Sequence, residues 1–185
     1  MKTRRFLAVT VGVMVLSGGL VLANYGGGVT PAGAKDLSGV TPNWDQNFPS
    51  GSRFTTVFTG AVRDNNTGLV WEQKPDTTTR PWGDNIGSAT LYCVNKPVGG
   101  TRGWRLPSVA ELASLIDPSL PAPFVPASVF TDVQQAKYWS ATMGGGNSDI
   151  VWDVNFNTGA AETPLDKTDL AYAWCVRGPS QESMY

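Results

Sequence analysis

The residues able to do chemistry are few, and the list starts with a gap. The chain of 185 residues contains no histidine, which removes the commonest general base and the commonest ligand for transition metals. Its two cysteines, Cys93 and Cys175, are far apart and form no Cys-x-x-Cys pair, so redox chemistry of that type is not indicated. Asp149 and Asp153 could pair for acid/base work, but Asp153 is expected on the polar side of an alternating strand. Asp64 and Asn66 offer oxygens at alternate positions, as calcium loops do. Three oxygens do not fill a calcium shell, however, and no bidentate Glu follows at the required distance. Arg105 and Glu111 could be an ion pair, with Glu111 in the third position after Ser108, as a helix-capping box requires. No nucleophile stands at a recognisable spacing from a base, and no catalytic residue, metal or cofactor is assigned.

Binding is better served. Seven tryptophans supply flat rings that can either fill a core or stack on a sugar. Trp71, Trp104, Trp139, Trp152 and Trp174 fall in strand-like or motif segments and are expected to pack inside. Trp82, between Pro81 and Gly83, is the candidate for an exposed stacking ring. The expected ligand site combines Arg80 and Trp82 from that loop with Asn147, Ser148 and Asp149 from a Gly-rich one. In it, Asn147 and Asp149 would accept hydroxyls and Arg80 would take a carboxylate or sulfate.

The elements that must position these residues follow from pattern. Phe54, Thr56, Phe58, Gly60 and Val62 lie on one side of an expected strand. Asp64-Asn65-Asn66-Thr67-Gly68 is a turn, and Leu69-Val70-Trp71 returns as the second arm of a hairpin. A helix is expected over 82–93, weakened by Gly83 and Gly87. A second, from Ser108 to the Asp117-Pro118 stop, carries the capping box. Residues 118–136 read as an irregular loop. Three strands follow, at Tyr138 to Thr142, Ile150 to Phe156 and Leu170 to Val176. The order implies an α+β domain with a mainly antiparallel sheet and two short helices.

Lys2, Arg4 and Arg5 precede the apolar stretch Phe6 to Leu16 and a small-residue exit ending at Ala23, the pattern of a secretory signal. Cleavage after Ala23 is expected, with Ala34 as a later position and an uncleaved anchor as the alternative. Cleavage at Ala23 leaves 11 basic residues against 15 acidic ones, a formal charge of −4. Such a domain suits neither nucleic acid nor an anionic membrane, and no membrane span remains after cleavage. The even cysteine count in an exported chain reads as one disulfide. Residues 24–52, rich in Gly and Pro, read as a tether or lead-in. The folded part is expected over 53–179, and 180–185 form a tail.

Four segments in order resemble the Lcl C-terminal domain family, long catalogued as a domain of unknown function: Arg63 to Glu72, Gly103 to Leu112, Tyr138 to Thr142 and Trp174 to Arg177. The resemblance spans about Val57 to Arg177. It implies a C-type-lectin-like fold, a looped sheet flanked by two helices, and supports pairing Cys93 with Cys175, which fall at the family's usual cysteine positions. It assigns structural roles to Asp64, Gly68, Trp71, Trp104, Arg105, Ser108, Glu111, Trp139 and Arg177. Members occur on exported bacterial proteins, and one heads a collagen-like adhesin that binds sulfated polysaccharide. This chain has no collagen repeat, lacks a basic balance, and has none of the Glu-Pro-Asn, Gln-Pro-Asp or Trp-Asn-Asp motifs of calcium-dependent lectins. The expected function is that of an exported, non-catalytic, adhesin-like module recognising a glycan or a cell-envelope protein. Its address would be the periplasm, the cell surface or the medium. A structural subunit of an envelope or surface assembly, including a homo-oligomer, is the alternative, and a cryptic enzyme is the third reading.

Overall fold

The structure is a computed structural model that describes Phe48, residues 50–146 and residues 148–179. The expected signal segment, most of the lead-in, the tail and Asn147 lie outside the described residues.

The fold begins with a short helix, α1 (Ser50–Arg53), that delivers a buried arginine to the first hairpin. Strands β1 (Phe54–Phe58), β2 (Ala61–Asp64) and β3 (Val70–Glu72) follow, each antiparallel to the next. The expected single strand from Phe54 to Val62 is therefore two. Gly60 adopts φ +82° and reverses the chain between them, a conformation that glycine takes without strain. The turn after β2 forms as its residues predict. Asp64 Oδ1 accepts the Asn66 N–H at 2.9 Å, and the Gly68 N–H donates to Asp64 O at 2.7 Å with Gly68 at φ +73°.

Helix α2 (Ala89–Asn95) starts seven residues later than the sequence suggests. Gly83 and Gly87 stand at φ +134° and +91°, so residues 82–87 form a loop and the helix begins only after Ser88. Helix α3 (Val109–Ala113) has the expected capping box. The Glu111 N–H donates to Ser108 Oγ at 3.1 Å, and the Ser108 N–H donates to Glu111 Oε2 at 2.8 Å. It tightens beyond Ala113 into i+3 turns ending at Ile116 rather than running to Asp117.

A second antiparallel sheet holds β4 (Lys137–Met143), β5 (Ile150–Asn155) and β6 (Ala160–Asp166) in that order. The sequence reading missed β6, because Ala160 to Asp166 has no alternation and contains a proline. It placed the third strand at Leu170 to Val176 instead. There Leu170 is exposed, and residues 171–175 cross between the sheets through single bridges of Ala171 to Arg80 and Tyr172 to Tyr138. The chain then ends in β7 (Val176–Arg177), which pairs with β3 and completes the order β1-β2-β3-β7.

Trp174, on this crossing segment, is the hub of one of the two buried hydrophobic clusters. Its ring meets Trp71, Phe130, Tyr138 and Phe156 at centroid distances of 5.1 to 6.0 Å. Trp71, Trp104, Trp139 and Trp174 are buried as expected, but Trp152 is only half-buried. The cause is a register shift between Val151 and Asp153, which breaks strict alternation and turns Val151, Asp153, Val154 and Phe156 inward. The same shift overturns the expected polar-side position of Asp153, which is 0% exposed. A disulfide joins Cys93 to Cys175, with Cα atoms 5.4 Å apart and 82 residues of separation, and pins α2 to the crossing segment.

Candidate functional site

Two loops that the sequence suggests as a ligand site come together on one residue that it did not single out, Lys167. The backbone of Arg80 exchanges hydrogen bonds with Ala171 at 2.9 and 3.1 Å, which fixes where the next residues lie. The Trp82 N–H then donates to Lys167 O at 2.9 Å, and the Lys167 N–H donates to Asp149 O at 3.0 Å. The Lys167 ammonium stands 4.8 Å from the centroid of the Trp82 ring, a cation–π arrangement. Trp82 is half-buried, with its Nε1–H donated to Ser140 O at 2.8 Å, so one edge is anchored to β4. Ser148 and Asp149 are exposed beside it. Lys167 belongs to the turn Asp166-Lys167-Thr168-Asp169. Nothing in its local spacing relates it to Trp82, so only the tertiary pairing reveals the association.

Arg80 does not join this face through its side chain. Its guanidinium donates to Asp76 Oδ2 at 2.6 Å and lies 4.2 Å from the Tyr92 ring centroid. This directs it to a second region on α2. There an open groove of about 430 Å³ is lined by Arg80, Ile86, Leu91, Tyr92, Lys96 and Pro97. A cleft of about 330 Å³, lined by Glu72, Lys74, Pro75, Asp76, Tyr92 and Lys96, shares Tyr92 and Lys96 with it.

Glu72 is the unusual member. Strand β3 holds its backbone on both sides: its N–H donates to Cys175 O at 3.1 Å, and its carbonyl accepts the Trp174 indole N–H at 2.8 Å. The residue is 3% exposed. Lys96 donates to Glu72 Oε1 and also to the Tyr92 hydroxyl, whereas Glu72 Oε2 has no hydrogen-bond partner among the described residues. Burial raises the Glu72 carboxyl above its ordinary range, and Lys96 only partly offsets this. Burial also raises the Tyr92 hydroxyl. Burial alone would lower Lys96, but its bonds to Glu72 and Tyr92 outweigh that and raise it. No local spacing signals this cluster, since Glu72 and Lys96 are 24 residues apart.

The family-motif residues are engaged in holding the chain. Asp64 takes the Arg53 guanidinium on both oxygens, at 3.0 and 2.6 Å, and accepts the Asn66 N–H as well. Those oxygens are occupied by protein donors. Arg105 forks onto Glu111 with two bonds of 2.8 Å and also donates to the carbonyls of Gly178 and Pro179. Arg177 pairs with Val70 across the β3–β7 ladder. The indoles of Trp104 and Trp139 donate to Thr101 O and Arg80 O. On the second sheet, Lys137 stands 3.5 Å from buried Asp153 and 3.0 Å from Glu162. Among the described residues, no three His, Cys, Asp or Glu side chains are grouped to hold a metal ion, and no helix is long and apolar enough to cross a membrane.

The β2–β3 hairpin, the capped α3 and both cysteines of the disulfide all lie within one family match. The chain belongs to the Lcl C-terminal domain family, whose model matches residues 60–177. Comparison with curated proteins gives no match.

Proposed function

We propose that the chain is an exported, non-catalytic recognition domain with a C-type-lectin-like fold, binding a glycan or a protein at the bacterial envelope or surface. The observation that carries this reading is the meeting of the 80–82 and 148–149 segments at Lys167. It presents a half-buried indole and an ammonium side by side, with the exposed Asp149 tied to the same lysine through its backbone carbonyl, on loops outside the sheets. The Cys93–Cys175 disulfide supports an oxidising compartment. An indole face with a neighbouring cation suits a sugar ring bearing an anionic group, or an acidic side chain of a partner protein.

The test is binding of the oxidised chain to an array of neutral and sulfated glycans, with and without EDTA. Saturable binding that falls about tenfold in Trp82→Ala and in Lys167→Ala supports the reading. Binding that both variants leave unchanged removes this face from it. A blank array from folded protein moves the weight to a protein partner.

A second reading, a structural subunit of a surface assembly, is favoured by Ile86. This side chain is 97% exposed on a loop between two glycines of positive φ. A mass that rises with concentration in light scattering, and falls back in Ile86→Ser, would support assembly.

A further inference from the structure

We propose that the Tyr92–Lys96 cleft is a second binding site, distinct from the Trp82 face, and that it takes a neutral, polyhydroxylated ring such as a hexopyranose. The proposal rests on the reading of the chain as a recognition domain and deepens it. It begins from an acceptor without a donor: Glu72 Oε2 is buried with no hydrogen-bond partner among the described residues, and Glu72 lines the cleft. An unsatisfied buried carboxylate oxygen costs stability, so a ligand that supplies an O–H recovers free energy at that point. A donor without an acceptor accompanies it. Arg80 Nε is buried with no hydrogen-bond partner among the described residues, and Arg80 lines the adjoining groove. A hydroxyl both donates and accepts, so a ring carrying several of them answers both needs, as neither a carboxylate nor an ammonium does.

Charge argues for neutrality. Each ionised group of the lining is already matched: Glu72 with Lys96, Asp76 with Arg80, and Lys74 with Asp132. An ionic ligand would face no surplus of opposite charge and would have to break one of these pairs. Of the uncharged lining, Ile86, Leu91, Tyr92 and Pro97 are largely apolar and suit the C–H face of a pyranose, while Asn95 adds an amide. The helix that carries Leu91 and Tyr92, with Lys96 as its C-cap, is held by the disulfide at Cys93, so much of the site is positioned before a ligand arrives.

The experiment is amide chemical-shift mapping on the full chain, disulfide intact. The probes are methyl glycosides of glucose, galactose, mannose and N-acetylglucosamine, with acetate and methylammonium as ionic probes. At least one glycoside is expected to give saturable shifts centred on Ile86, Tyr92 and Lys96. Glu72→Gln and, independently of the carboxylate, Tyr92→Leu are each expected to weaken it about tenfold, and Trp82→Ala by less than about twofold. Glycoside shifts centred on Trp82 and Lys167 would overturn this site while leaving the recognition reading intact. Saturation by acetate or methylammonium at lower concentration than any glycoside would overturn it in favour of an ion site. No shift at these residues with any glycoside would also overturn it, and the glycan array judges the wider reading separately.

Discussion

Asp153 and Glu111 are both buried carboxylates, and they differ in what their neighbours supply. Glu111 has Arg105 across both oxygens and the Ser108 N–H on one of them. Asp153 has neither oxygen hydrogen-bonded within the described residues, and its nearest cation, Lys137, is 3.5 Å away. Burial accordingly raises the Asp153 carboxyl above its ordinary 3.8, and Lys137 only partly compensates. The folded state thus holds this proton more tightly than the unfolded chain. The contribution of Asp153 to stability improves as pH falls through the raised value and levels off below 3.8. In urea unfolding from neutrality down to about pH 4, wild type is expected to gain steadily on Asp153→Asn. Wild type losing ground to Asp153→Asn as pH falls would mean that attraction from Lys137 outweighs burial. Local spacing made Glu111 legible, since its capping partner is three residues away. It could not make Asp153 legible, because a register shift decides which way that side chain points. Nor could it reveal Glu72, whose partners arrive from another element.

At the scale of elements, glycines decide where the segments stop, and their identity alone does not say which of them matter. Gly83 and Gly87 weakened the expectation of a helix from Trp82, and their positive φ values end it. The neighbours Gly99 and Gly100 give a sharper contrast. Both have positive φ, +56° and +76°. A Cβ on Gly99 would lie 2.6 Å from the Phe58 ring and 2.8 Å from Thr59 O, and one on Gly100 would meet nothing within 4 Å. Gly100→Ala is therefore expected to cost only the backbone penalty, about 1 kcal/mol. Gly99→Ala should cost about 1–3 kcal/mol more, because the β1–β2 turn must shift to admit it. Equal chemical-denaturation midpoints for the two variants would refute the close approach. The hairpin of β2 and β3 and the capped α3 were readable because their signals are local and chemically specific. Strand β6 was not, since its place comes from pairing with β5 rather than from alternation of its own.

For the whole molecule, the sequence order carried the α+β class and the antiparallel sheets. It did not carry the division into two sheets, which depends on the segment 171–177 leaving one and joining the other. The Cys93–Cys175 link closes that arrangement. Reduction is expected to remove about 4 kcal/mol, by the chain-entropy estimate for a loop of this length. The loss is measured as the urea-unfolding difference between oxidised and reduced protein at equal pH. A difference near zero would show that the packing around Trp174 holds the fold without the bond. The same link has a mechanical side. A pull applied to the two ends of the chain passes from Cys93 directly to Cys175, and everything between them, with α3 and β4 to β6, is left out of the load. At about 3.5 Å per extended residue, the shielded stretch amounts to roughly 280 Å of slack that tension cannot draw out while the sulfurs remain joined. A domain under drag would yield first at α1 and the first hairpin, lengthen briefly, and then stop.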